Sequence, residues 1–151
     1  MNAKFPSVDA SIRPCVPCGN AMGQVGDALD YINWHQLPVS RIWLSIQINN
    51  WTPNIDVNRK FLRQLVQGAR SFQSSGFPVG IFTDRVSWVK LFGKPFQEFN
   101  DVPLWYLTED GTATFDGFQP IGGWLFPAIK RYNSNVAEKN CALTVNQNYQ
   151  P

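Results

Sequence analysis

Strand and helix periodicities that alternate along the chain predict an α/β fold built on a parallel sheet. Two segments carry most of that expectation. Residues 41–48 place Ile42, Leu44, Ile46 and Ile48 on one face and Arg41, Trp43, Ser45 and Gln47 on the other, which is the two-residue period of a strand. Val57, Phe61, Leu62, Leu65, Val66, Ala69 and Phe72 then recur at the spacing of an amphipathic helix. The chain has 151 residues, of which 44% are hydrophobic and 16% charged, a balance that suits one packed domain over 1–151 and excludes a disordered segment.

The remaining elements follow in order. Residues 7–13 read as a short strand, and Ala21, Met22, Val25, Ala28, Leu29 and Ile32 as a first helix. Strand 41–48 and helix 57–72 come next, the helix ending near Gly76 and Pro78. Residues 78–83 read as a buried strand and 88–92 as a short helix. Residues 102–107 and 128–132 form two further strands, separated by a Gly-rich, aromatic loop. Strands joined through helices pair in parallel by right-handed crossovers, and such sheets concentrate function at the carboxyl ends of their strands.

Charge and cysteine usage narrow the function. A net charge of +2, spread in ones and twos, offers no basic stripe for phosphates, so no nucleic-acid partner is expected. No apolar run approaches the length of a membrane span, and no membrane partner is expected. Residues 1–20 lack the apolar centre of a signal peptide, because Pro6, Ser7, Asp9, Ser11, Arg13 and Pro14 interrupt them. The three cysteines, Cys15, Cys18 and Cys141, are an odd number, which points to a reduced compartment or to an absent N-terminal portion. Cys15 and Cys18 have the spacing of a zinc half-site or a thioredoxin-like pair. With no second pair, and His35 as the single histidine near a helix end, the expectation is a structural disulfide or packed thiols, with no metal and no cofactor.

The segments at the carboxyl ends of the strands are rich in Trp, Tyr, Asn and Gln, side chains that stack on sugar rings and hydrogen-bond hydroxyls. One of them carries a resemblance. Arg41-Ile-Trp43-Leu-Ser45-Ile-Gln47 resembles the Trp-Leu-Asp-Ile-Glu strand of glycoside hydrolase family 25 lysozymes, in the branch found in nematodes and amoebae. Similar to the same branch, in sequence order, are Pro14-Cys15-Val-Pro-Cys18-Gly-Asn20, Gly80-Ile-Phe-Thr83 with Trp88, and Leu104-Trp105-Tyr106. So are Phe118-Gln-Pro-Ile-Gly122-Gly-Trp124, Pro127-Ala-Ile-Lys-Arg-Tyr132 and Val145-Asn146-Gln-Asn148-Tyr149-Gln-Pro151.

The resemblance implies a TIM-like β/α barrel, here partial and lacking its first strands. It also implies a peptidoglycan or related amino-sugar partner, a monomer, and an extracellular or endolysosomal location. Ser45, Gln47 and Asn146 stand where the family carries catalytic acids. Ser45 and Gln47 sit about 7 Å apart along one strand face. Glycoside hydrolysis needs a carboxylic acid to protonate the leaving oxygen, which a hydroxyl and a carboxamide cannot do. The expectation is therefore an impaired enzyme that binds glycan, with a role in innate defence. Trp43, Trp105, Tyr106 and Trp124 match aromatic positions expected to contact substrate, together with Asp84 and Asp110. Those two carboxylates also read as loop caps; as substitute acids, they would make the chain an active muramidase. A third reading is an interaction or vestigial fragment with no ligand. Cys15, Cys18 and Cys141 are the disulfide candidates.

Overall fold

The computed structural model describes residues 8–73, 76–138 and 143–151, in which six strands form one curled sheet, a half-barrel with helices on its outer side. The strands run in the order β1 (Val8–Ile12), β2 (Val39–Ile46), β3 (Val79–Thr83), β4 (Leu104–Leu107), β5 (Ile129–Ala137) and β6 (Thr144–Tyr149), each beside its sequence neighbour. Helices α1 (Ala21–Trp34), α2 (Ile55–Arg70) and α3 (Arg85–Phe92) connect the first four. The expected alternation of strand and helix is thus present.

Packing explains which faces turn outward. Ile42, Leu44, Ile46, Ile81 and Leu104 point from the sheet towards Val25, Leu29, Leu62, Leu65 and Val66 of the helices, in one buried cluster. Burying each such aliphatic side chain stabilises the fold by about 1.5–3 kcal/mol. Helix ends are satisfied locally. The Asn54 side chain accepts from the amides of Asp56 and Val57, and Asn20 caps α1 through the amide of Gly23. Asn58, fully buried, donates to the carbonyls of Thr52 and Leu91, tying the loop after β2 to the end of α3.

Two features differ from the sequence expectation. β1 to β5 are parallel, but β6 returns antiparallel to β5, so the sheet is mixed. β5 also runs to Ala137, well past 132, because β6 pairs with that extension. Its residues Asn133-Ser-Asn135 show no apolar alternation, and the ladder there has irregular register with Asn135 at φ 56°. Strand β2 stops at Ile46, leaving Gln47 just past its end and Ile48 37% exposed rather than on the buried face.

Among the described residues, no helix is long and apolar enough to cross a membrane. Cys15 and Cys18 are joined by a disulfide with Cα atoms 5.3 Å apart, in the loop that leaves β1. Cys141 lies outside the described residues.

Candidate functional site

The inner, concave face of the half-barrel is built by strand alternation. On β2 the residues opposite the helix layer are Trp43 and Ser45; the register pairs Trp43 with Gly80 and Ser45 with Phe82, and Phe82 in turn with Trp105. These side chains form one aromatic row. The Trp43 ring meets Trp105 edge-on at 5.5 Å, and Phe82 meets Trp105 at 4.9 Å. Gly80 makes the row possible, since a Cβ there would overlap Cε3 and Cζ3 of the Trp43 ring.

Cations close over the row. The Arg131 guanidinium lies 4.6 Å from the Phe82 ring centre and 5.0 Å from that of Trp105, and Arg41 lies 5.4 Å from that of Trp43. Burial pushes the Arg131 guanidinium below its ordinary pKa, and the charge of Glu109 acts in the opposite direction. Trp43 donates its indole N–H to Asp9 Oδ2 at 2.8 Å and is 1% exposed. Trp105 stays partly exposed and donates to Asn148 Oδ1 at 3.1 Å.

Of the expected catalytic positions, Ser45 is buried next to Phe82, Gln47 follows directly at the carboxyl end of β2, and Asn146 lies on β6. Asn146 shares a side of β6 with Asn148, and its Oδ1 accepts from the Asn135 amide at 3.1 Å. The expected substrate residues divide. Trp43 and Trp105 lie on the concave face. Tyr106 points the other way, packing on Phe118 at 5.0 Å, because adjacent strand residues face opposite sides. Asp110 is on that same outer side. Its Oδ2 takes an ion pair at 2.8 Å from Lys130, a side chain only 3% exposed, and its Oδ1 accepts from the Thr112 amide and hydroxyl.

Trp124 lies in the core, 4% exposed, meeting Trp88 edge-on and donating to the Val102 carbonyl at 2.7 Å. That carbonyl precedes β4, so Trp124 sits at the amino end of the sheet, away from the concave row's carboxyl end. Asp84 is the N-cap of α3, its two carboxylate oxygens held by the amide and hydroxyl of Ser87. Two carboxylates do reach the concave side. Asp9 is held by Trp43 near the amino end of β1, and Glu109, exposed beyond β4, acts on Arg131 through its charge.

Arg131, Phe82 and Asp9 were not singled out by sequence reasoning. Alternation within strand 78–83 places Gly80 and Phe82 on one face, but only the register shows that this face is shared with Ser45. Lys130 and Arg131 point to opposite sides, and the sequence does not say which points inward. Among the described residues, no cluster of His, Cys, Asp and Glu could hold a metal ion.

The family model described as Lysozyme-like protein 1 matches residues 1–132. A family 25 lysozyme of Dictyostelium discoideum is 32% identical over 144 residues, 95% of this chain and 65% of the relative. The chain belongs to the glycoside hydrolase family 25 lysozymes. Lysozyme-like protein 5 of Caenorhabditis elegans is 30% identical to this family 25 chain over 99% of its length and 68% of the relative's. The family 25 chain thus spans about two thirds of the length of these curated relatives. Its fold is similar to a muramidase from Acremonium alcalophilum, with a TM-score of 0.70 at 13% identity, covering 95% of this chain and 67% of that structure.

Proposed function

We propose that this family 25 chain is a catalytically impaired lysozyme that binds peptidoglycan or a related amino-sugar polymer without cleaving it, as a monomer, outside the cell or in endolysosomes, in innate defence. The observation that carries this reading is the composition of the concave face. Ser45, Gln47 and Asn146 at its carboxyl end supply hydroxyl and amide groups, whereas Trp105 offers a partly exposed ring whose polar edge is held by Asn148. Stacking and hydroxyl recognition need the second set; bond cleavage needs proton transfer, which the first set does not provide. The two carboxylates that the sequence offered as substitute acids are engaged elsewhere, Asp84 as a helix cap and Asp110 with Lys130 on the outer side of the sheet. The relatives' names support the polymer class.

Calorimetry with soluble peptidoglycan fragments, beside a turbidity assay on bacterial walls, tests the proposal. The folded protein is expected to bind without clearing the walls. Trp105→Ala is expected to weaken binding by about 1–3 kcal/mol, by analogy with stacking of bases on aromatic side chains, with the protein still folded in a thermal melt. Wall clearing that is lost in Asp84→Asn or Asp110→Asn identifies an active muramidase instead. Absence of binding by well-folded protein leaves the interaction or vestigial reading.

A further inference from the structure

Where the resemblance places carboxylates, the concave face presents neutral side chains, and beside them stands a cation with no hydrogen-bonding partner for its side chain among the described residues. The Arg131 side chain makes no hydrogen bond or ion pair among the described residues, and its Nε is buried with no acceptor. Desolvating a guanidinium without an acceptor is costly, and the cation–π contacts with Phe82 and Trp105 offset only part of that cost. Those contacts hold the planar group in place, so little rotamer freedom remains to be lost when an anion meets its edge. Its position is also specific. Arg131 lies over Phe82, the residue paired with Ser45 in the neighbouring strand, and its own Cα is paired with Asn148 of β6. Strand spacing puts Phe82 and Ser45 about 4.8 Å apart.

We propose that Arg131 anchors a sugar carboxylate on the concave face, so that the site selects acidic over neutral amino-sugar chains. This rests on the glycan-binding reading above and specifies its ligand chemistry. A guanidinium meets a carboxylate through parallel, charge-assisted N–H···O bonds. In a face carrying Asp and Glu at the Ser45 and Gln47 positions, the same ligand carboxylate would be repelled, and Arg131 would be neutralised by those acids. The substitutions therefore have two consequences at once: they remove the proton donors and they leave Arg131 free for the ligand. The exposed Glu109 supplies charge at a distance but no hydrogen bond, and an incoming carboxylate in contact with the guanidinium outweighs it.

The experiment compares three probes by calorimetry on the full chain: the disaccharide of N-acetylglucosamine and N-acetylmuramic acid, its lactyl methyl ester, and neutral chitotetraose. The acid is expected to bind about tenfold more tightly than its ester, the effect of one charge-assisted contact in a partly exposed cleft, with the advantage shrinking as salt is added. Arg131→Gln is expected to abolish the difference between acid and ester. Arg131→Lys, which keeps the charge without the fork, retains part of it and serves if the glutamine variant does not fold. Oligogalacturonate as a further probe separates sources of the carboxylate. If it binds tightly, the anchor reads any sugar acid; if it is excluded while the muramyl acid stays favoured, the anchor reads the lactyl group. Equal affinity for acid and ester in the parent protein overturns the anchor and leaves glycan binding standing. No binding of any probe removes both.

Discussion

Gly80 shows how one residue without a side chain shapes the concave face. It is the second residue of β3, paired with Trp43, whose indole crosses it to reach Trp105. Glycine in a strand normally weakens it, yet here any Cβ would strike the ring. Gly80→Ala is expected to destabilise the protein by about 1–3 kcal/mol through overpacking. A lower urea midpoint at unchanged slope would report it. Asp110 offers a test of charge. Burial opposes its ionisation, but the Lys130 hydrogen bond, the Thr112 amide and hydroxyl and the Lys130 charge outweigh burial, holding the carboxyl below its ordinary value of 3.8. A carboxylate with a depressed folded pKa stabilises the fold above its unfolded pKa, and that contribution is lost as pH falls through the lower, folded value. Melts taken from about pH 5 down to about pH 2 should therefore fall less steeply in Asp110→Asn. Parallel slopes would show that the Lys130 pair contributes nothing to acid stability.

The connections between elements hold the carboxyl-end loops in register. After β1 the chain makes the Cys15–Cys18 disulfide, and the Val16 amide donates to the Asn50 carbonyl in the loop after β2 at 2.9 Å. Gln24 of α1 fastens the same turn, accepting from the Cys15 amide and donating to the Cys15 carbonyl. Cys15 and Cys18 are accordingly expected to resist alkylation until a reductant is added, as peptide mapping by mass spectrometry would show. Alkylation of both in untreated, folded protein would contradict the disulfide. Elsewhere α2 is tied to the segment before β4 by Arg63 with Glu98 and by Arg70 with Asp101. These pairs are exposed and orient more than they stabilise.

If Ser45, Gln47 and Asn146 replace acids that act as a unit across the six strands, as we propose, introducing carboxyls at two of them is not expected to yield catalysis. In Ser45→Asp with Gln47→Glu, Arg131 would lie beside the introduced carboxyl and hold its pKa down. A general acid needs the opposite shift. Asn146 would still lack a carboxyl. The double variant should leave bacterial walls turbid, and a carbon-13 titration of the introduced Asp should place it below the ordinary carboxylate range. Wall clearing by that variant would refute the argument. Much of this architecture was legible beforehand because it rests on local chemistry. The alternation in 41–48 and the stripe from Val57 to Phe72 each pick an element and its buried face, since burial of apolar side chains follows strand and helix periods. The Ser45-Ile-Gln47 motif was equally local, three consecutive positions in a strand that resembles one of the family to which the chain belongs. What sequence could not decide was which way a polar or aromatic side chain points once neighbouring strands pair. Trp124 and Tyr106 matched aromatic positions as well as Trp105 did, yet the register turns Tyr106 outward and the loop before β5 sends Trp124 into the core. Arg131 and the antiparallel return of β6 depend on pairings between residues distant in the chain. By itself the sequence determined the first four strands, the three helices between them, their order and the hydroxyl and amide side chains at positions 45, 47 and 146, because these reside in near neighbours. Only the tertiary structure decided which side chains share the concave face, because one residue of register reverses every side chain along a strand.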